Sequence, residues 1–268
     1  QSTYASQFKW FELFCRARGV PPIVRSGIEG ETLVRDYVLY LTEKGPLDAR
    51  APGTLKLRMS AIRARHIAAG LGDPMENMEV PFAILRAYAK TWGGTKKKHP
   101  ITVAMLLAME SSLDVERKAD HLIIMLLATT GFFILGRVSE LVGQEGKATG
   151  RAGILGAHFE AYLGATKVAT FNLADRILIT ITGSKTDQLN LGCKRLVFPS
   201  GHPRLCLLRL ARLAEKHFPT RFTTEACLPL FRWMNGQKIL RIQLQTYLAE
   251  TAESHGVPAT DIGTHSLR

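Results

Sequence analysis

The first 92 residues alternate between stretches with a helical hydrophobic period and short stretches of turn-forming residues. Apolar residues recur three or four positions apart in four stretches, and this spacing predicts amphipathic helices. These stretches read TYASQFKWFELFCRARG, EGETLVRDYVLYLTEKG, GTLKLRMSAIRARHIAAG and VPFAILRAYAKTW. The third places Thr54 as an N-cap and Gly70 as a stop signal. The predicted buried positions of the first are Phe8, Phe11, Leu13 and Cys15. The pattern predicts a small bundle of about four helices.

The pattern changes at Ile101, where helical stretches begin to alternate with β-branched ones. RILITIT at 176–182, the Gly-containing segment GSKTDQLNLG and then CKRLVF are typical of a β-hairpin. Between the two parts, GGTKKKHP at 93–100 combines two glycines with a proline and predicts a linker. The fold class predicted is mainly α with a small antiparallel β-sheet. It has a helical domain at 1–92 and a mixed domain at 101–268.

The most apolar stretch is LIIMLLATTGFFIL at 122–135. It is shorter than the roughly 20 apolar residues that a bilayer span needs. Stretches with the pattern of globular helices flank it on both sides. We therefore predict a buried core helix here, and no membrane partner.

The charge balance favours a polyanionic partner. The chain has 35 Lys and Arg against 23 Asp and Glu, a net charge of +12. A surplus of this size favours nucleic acid first and an anionic membrane second. A basic surface that merely contacts water is the alternative, and charge alone does not decide between them.

Basic side chains flank the apolar stripe of the third helix and also fill the linker. Pairs seven residues apart, Lys56 with Arg63 and Arg58 with Arg65, form two rails beside that stripe. Such rails could follow the phosphates of a duplex, and a solvated helix face is the alternative. The candidate DNA-binding residues are Lys56, Arg58, Arg63, Arg65, Lys96, Lys97 and Lys98.

The four cysteines do not form a metal-binding pattern. Cys15, Cys193, Cys206 and Cys227 are widely spaced, with no CxxC pair and no zinc-like Cys/His cluster. We interpret them as reduced core residues of an intracellular protein.

Three short motifs carry possible chemistry, and each has an ordinary alternative. GRVSEL places Arg137 at the end of the most apolar helix, with Glu140 three residues later. Burying an unpaired guanidinium costs free energy, so an arginine at this position calls for an explanation. An Arg137–Glu140 ion pair that caps the helix would be enough to explain the arginine. GSKT places Lys185 at the hairpin tip. The alternative is that Lys185 is an ordinary lysine of a surface turn. HSLR places His265 and Arg268 on one helical face, although short matches like this arise by chance.

In this order, the three motifs resemble the catalytic domain of the tyrosine recombinases, the phage-integrase family. GFFILGRVSEL is similar to the first arginine box, ITGSKTDQ to the β-hairpin lysine, and THSLR to the second box. The SAIR…AAG segment resembles the helical, SAM-like core-binding domain of that family, and KKHPIT its interdomain joint. KTDQ followed by a glycine resembles versions from eukaryotic mobile elements. The resemblance covers nearly the whole chain.

The resemblance implies site-specific DNA recombination or integration without a cofactor. A tyrosine attacks a phosphodiester to give a 3′-phosphotyrosyl bond and a free 5′-hydroxyl, which retains the bond energy without ATP or metal. Arg137 and Arg268 would hold the non-bridging phosphate oxygens in fork geometry. Lys185 would protonate the leaving 5′-oxygen, and His265 would handle the proton of the nucleophile. Glu140 would orient its neighbours.

The nucleophile expected from the resemblance is not in this sequence. In the family a His or Trp and then the Tyr follow the second arginine, whereas here the sequence stops at Arg268. Tyr247 precedes HSLR and is predicted to belong to a helix core. We expect a fragment, cut at both ends, that binds double-stranded DNA without cleaving it. An intact form is expected to act as a homotetramer on DNA, in the nucleus if the source is eukaryotic.

Other functions remain open from sequence. One is a DNA-binding remnant that has lost catalysis. Another is a type IB topoisomerase, which shares the fold and chemistry without needing four protomers. A third is a helical interaction protein with an incidental basic surface. The third predicts that Arg137, Lys185, His265 and Arg268 lie far apart in the folded chain.

Overall fold

A computed structural model describes residues 3–43, 51–92, 98–143, 153–182, 192–263 and 266–267. The chain divides into two compact units, Gln1–Thr95 and Lys96–Arg268, and the division lies inside the segment predicted as a linker. The described part is mainly helical with one four-stranded antiparallel sheet, which confirms the predicted fold class at this level.

The described part of the first unit contains the four predicted helices. They are α1 (Thr3–Ala17), α2 (Ile28–Thr42), α3 (Pro52–Ala68) and α4 (Glu79–Thr91). The predicted cap of α3 was wrong. Ala51 is the N-cap, because Pro52 occupies the first turn, where its missing N–H is not needed. Leu13 was also placed wrongly. It is 52% exposed, and Phe14 is buried instead.

Aromatic rings form the centre of the first core. The ring of Tyr37 lies 5.1 Å from that of Phe11 and 5.0 Å from that of Phe14, at tilted or edge-on angles that aromatic pairs favour. α1 packs against α3, and α2 packs against α4. This unit therefore has a hydrophobic core of its own.

His66, near the end of α3, fastens the segment between α1 and α2. It is buried, its Nδ1 donates to the carbonyl of Ile62 at 2.8 Å, and its Nε2 accepts from the N–H of Val24 at 2.8 Å. The imidazole is therefore neutral, with its proton on Nδ1, because Nε2 serves as an acceptor.

Replacing His66 by alanine is expected to lower the free energy of unfolding of the first unit by about 2 kcal/mol. The change leaves the buried N–H of Val24 without an acceptor and also opens a cavity. Urea denaturation of the wild type and the variant measures this difference. Ile67→Ala is the matched control, because Ile67 is 50% exposed and should lose less. Equal losses in the two variants would contradict the proposed role of the hydrogen bond.

The described part of the second unit contains five α-helices, three short 3₁₀ helices and the sheet. The helices are α5 (Val103–Ser112), α6 (Ala119–Ile134), α7 (Val138–Leu141), α8 (Leu207–His217) and α9 (Arg241–Glu253). The strands are β1 (Phe159–Leu163), β2 (Thr166–Lys167), β3 (Arg176–Ile181) and β4 (Cys193–Val197), in the order β2-β1-β3-β4. β3 and β4 pair antiparallel from Ile181 opposite Cys193, so the predicted hairpin is confirmed. β1 and β2 were not predicted.

α6 is the central helix of the second core, as predicted. Eleven of its 16 residues are buried, and it packs against α8 and β4. Among the residues that the structure describes, no helix is long and apolar enough to cross a membrane.

Two of the four cysteines are less buried than predicted. Cys15 is buried, and burial raises the pKa of its thiol to about 11. Cys206 is half-buried, whereas Cys193 and Cys227 are exposed, so these two were wrongly assigned to the core. All four are free thiols. Within the described ranges, no group of three or more His, Cys, Asp or Glu residues is arranged to hold a metal ion.

Candidate active site

The apolar helix of the GRVSEL motif ends earlier than its hydrophobic pattern predicts. α6 stops at Ile134, and Leu135 adopts a left-handed conformation with φ 51° and ψ 40°. The N–H of Gly136 donates to the carbonyl of Gly131 at 3.0 Å, which closes the helix end. Arg137 is therefore not the last residue of this helix. It is the N-cap of α7.

Glu140 fixes the position of Arg137 through two contacts. Its Oε1 accepts from Nη1 of Arg137 at 2.8 Å, and its Oε2 accepts from the Arg137 backbone N–H at 2.9 Å. The Glu140 side chain is 9% exposed and that of Arg137 is 24% exposed. The pairing suspected from sequence therefore exists. A guanidinium has five N–H donors, and Glu140 is its only hydrogen-bond partner among the described residues.

The HSLR segment is described only at its two central residues. His265 and Arg268 lie outside the described residues, while Ser266 and Leu267 are both buried. Ser266 closes a turn, since its N–H donates to the carbonyl of Gly263 at 2.9 Å and its Oγ accepts from the N–H of Gly263 at 3.0 Å. The backbone that joins His265 to Arg268 in the chain is thus held by packing and hydrogen bonds.

The two arginine motifs meet at Gly131 of α6. A Cβ placed on this glycine would lie 2.9 Å from Cδ1 of Leu141, in GRVSEL, and 2.9 Å from Cδ1 of Leu267, in HSLR. Only a residue without a side chain leaves room for both leucines. Segments more than 120 positions apart in the sequence therefore pack on the same spot of one helix.

The end of the predicted linker pairs with the segment that leads into HSLR. The ammonium of Lys98 donates to the carbonyl of Thr260, and the N–H of His99 donates to the carbonyl of Asp261 at 2.7 Å. The N–H of Ile101 donates to the carbonyl of Ser266 at 2.6 Å.

Lys98 was a candidate DNA ligand. Lys98 is exposed, but its ammonium already donates a hydrogen bond to the carbonyl of Thr260 in the same unit.

The other predicted basic residues have different surroundings. Lys185, Lys96 and Lys97 lie outside the described residues. On α3, Lys56 and Arg65 are exposed, and Arg63 forms an ion pair with Asp73 at 2.6 Å.

Arg58 is a correction to the predicted DNA-binding rail. It is 3% exposed, its guanidinium lies 4.7 Å from the centre of the Trp10 ring, and its Nε donates to Gln7 at 3.4 Å. A long arginine stem can be buried when its head stacks on an aromatic ring. Arg58 therefore belongs to the core of the first unit and cannot line an exposed rail.

Two residues of this site were missed from sequence, namely Gly131 and Leu267. The signal for Gly131 was a glycine in the middle of a strongly apolar helix, which usually has a packing reason. Leu267 gave no signal beyond being apolar. Tyr247, on α9, is half-buried against the core of the second unit, in keeping with its prediction as a core residue.

No protein-family model matches this chain, and no curated protein is significantly similar to it.

Proposed function

We propose that this chain belongs to a protein that cleaves and rejoins duplex DNA by the tyrosine-recombinase reaction. Residues 1–92 would form a helical core-binding domain and residues 101–268 part of the catalytic domain. The observation that supports this proposal best is the packing of GRVSEL and HSLR on Gly131. An incidental basic surface gives no reason for these two motifs to meet.

The proposed chemistry assigns Arg137 to the non-bridging oxygens of the scissile phosphate. Its backbone is fixed as the N-cap of α7, and Glu140 holds one edge of the guanidinium. A fixed fork can stabilise the charge that develops on phosphorus without reorganising during the reaction. Arg268 would provide the second fork.

Two further roles rest on the resemblance alone. Lys185 would protonate the departing 5′-oxygen, and His265 would handle the proton of the tyrosine. The tyrosine itself is expected on the C-terminal side of Arg268. The acting form would be a homotetramer assembled on its DNA.

A second candidate function is DNA binding without catalysis. The Arg137–Glu140 pair favours it, because the same contact could simply stabilise the start of α7. Both candidates require a duplex ligand, and they differ in whether the arginines act on a transition state.

Duplex binding by this chain is expected to weaken steeply with salt. If six to ten phosphates are contacted, raising NaCl from 50 to 200 mM should lower the association constant by about 10³- to 10⁵-fold, because counterions are released. Fluorescence anisotropy with a labelled random duplex measures the effect. A flat salt response would contradict the proposal.

Matched variants locate the binding surface. Replacing Lys56 and Arg65 by glutamine should reduce the slope of log K against log salt by about two, because each side chain would no longer neutralise one phosphate. Replacing Lys90, an exposed lysine on α4, by glutamine removes one positive charge outside the two rails. This change should reduce the slope by less per charge removed. Equal effects per charge would indicate a diffuse basic surface.

A further inference from the structure

Leu135 adopts an unfavourable backbone conformation two residues before Arg137. Its φ of 51° lies in the left-handed region, which disfavours residues with a Cβ and usually holds glycine at a helix end. Among the described residues, only Asn77 is another non-glycine with positive φ, and asparagine tolerates this region better. A leucine at this position therefore lowers the stability of the free protein.

The side chain of Leu135 is also largely exposed. It is 60% exposed, although it directly follows the most buried helix of the described chain. Exposed leucines are common and need no explanation by themselves. Here exposure and a disfavoured backbone coincide in one residue, and neither effect helps the isolated chain to fold.

The neighbours of Leu135 hold it rigidly. The N–H of Gly136 bonds to the carbonyl of Gly131, and a Cβ on Gly136 would lie 3.1 to 3.3 Å from side-chain carbons of Ile134 and Leu141. The backbone on the C-terminal side is then fixed by the Arg137–Glu140 contacts. The Cα–Cβ bond of Leu135 therefore has a set direction relative to the Arg137 backbone, and the isobutyl group extends from it into solvent.

We propose that Leu135 packs against the deoxyribose and base edge of the nucleotide whose phosphate Arg137 binds. This inference rests on the proposed function. In a duplex each phosphate is flanked by apolar sugar carbons, so an exposed apolar side chain on a fixed backbone next to a phosphate-binding arginine fits this surface. The apolar area removed from water on binding would offset the disfavoured backbone of the free state.

The test compares duplex affinity and thermal stability in Leu135→Gly. Without the apolar side chain, binding is expected to weaken by about 5- to 20-fold, which corresponds to burying part of one leucine side chain. The weakening should be the same at every salt concentration, since no counterion is released by an apolar contact. The thermal midpoint of the free variant should be equal to or above that of the wild type, because glycine relieves the left-handed conformation.

Two further variants serve as controls. Leu135→Met keeps an apolar side chain and should retain most of the affinity. Asn77→Gly relieves the other left-handed non-glycine residue, in the first unit, and should leave duplex affinity unchanged.

The outcomes separate this inference from the proposed function. If the wild type shows no salt-dependent duplex binding, the proposed function fails. If the wild type binds and Leu135→Gly binds equally well, only the contact of Leu135 is refuted. A changed salt slope in Leu135→Gly would also overturn the inference, because Leu135 would then act by shifting a charged group.

Discussion

Replacing Arg137 by alanine is expected to slow strand cleavage by about 10³-fold or more while duplex affinity falls less than tenfold. The prediction applies to a form of the protein that carries a tyrosine beyond Arg268. Arginine donors aimed at a transferring phosphoryl group commonly contribute effects of this size. In binding, by contrast, Arg137 is one phosphate contact among several. Single-turnover cleavage of a labelled duplex, with anisotropy on the same duplex, measures both quantities.

Two companion variants sharpen this comparison. Arg137→Lys keeps the charge but loses the planar fork, so cleavage should recover only partly. Glu140→Gln keeps an acceptor for the Arg137 backbone and removes the charge that holds the guanidinium, so it should slow cleavage less than Arg137→Ala. If Arg137→Ala weakened binding and cleavage by the same factor, a role specific to the transition state would be refuted. The non-catalytic alternative would then be favoured.

Hydrophobic patterns predicted most of the helices, because the helices of the first unit each have one buried face and α6 is a nearly continuous apolar run. The four helices described in the first unit, the core helix α6 and the β3–β4 hairpin follow from such patterns. β1 was missed because its FEAYL sequence is short and mixes an acid with apolar residues. The apolar run also continued through Leu135 without a break, so the end of α6 could not be predicted.

Burial of charged residues was less predictable than helix position. Arg58 and Arg65 are seven positions apart and look equivalent in sequence, but Arg58 is buried and Arg65 is exposed. The difference comes from Trp10 on α1, because the Arg58 guanidinium lies over the Trp10 ring. A pattern read along one helix carries no information about such a partner.

The candidate site shows the same division between local and distant information. The Arg137–Glu140 pair was visible in sequence because its members are three residues apart. The approach of Leu267 to Gly131 was not, since it depends on how the chain returns to α6 after the sheet and two more helices. Family resemblance supplied an expectation of this meeting, and the packing of Leu141 and Leu267 supports it.

Replacing Leu267 by alanine is expected to lower the stability of the second unit by about 3 to 5 kcal/mol. Leu267 is 1% exposed, and its removal leaves a cavity beside a glycine that cannot fill it. Hydrogen exchange of the α6 amides measures this destabilisation, since these amides report on the second unit alone. Leu163→Ala is the control, because Leu163 is 53% exposed at the end of β1 and should cost much less.

The contact itself can be tested by a double-mutant cycle with Gly131→Ala. In the wild type the new methyl group would lie 2.9 Å from both Leu141 and Leu267, so the single change should be destabilising. In the Leu267→Ala background the methyl group has room on one side and fills part of the cavity. Gly131→Ala should therefore be less harmful there, with an interaction energy of about 1 kcal/mol or more. Strict additivity would mean that Leu267 and Gly131 do not touch, and the support for joining the two arginine motifs in one site would disappear.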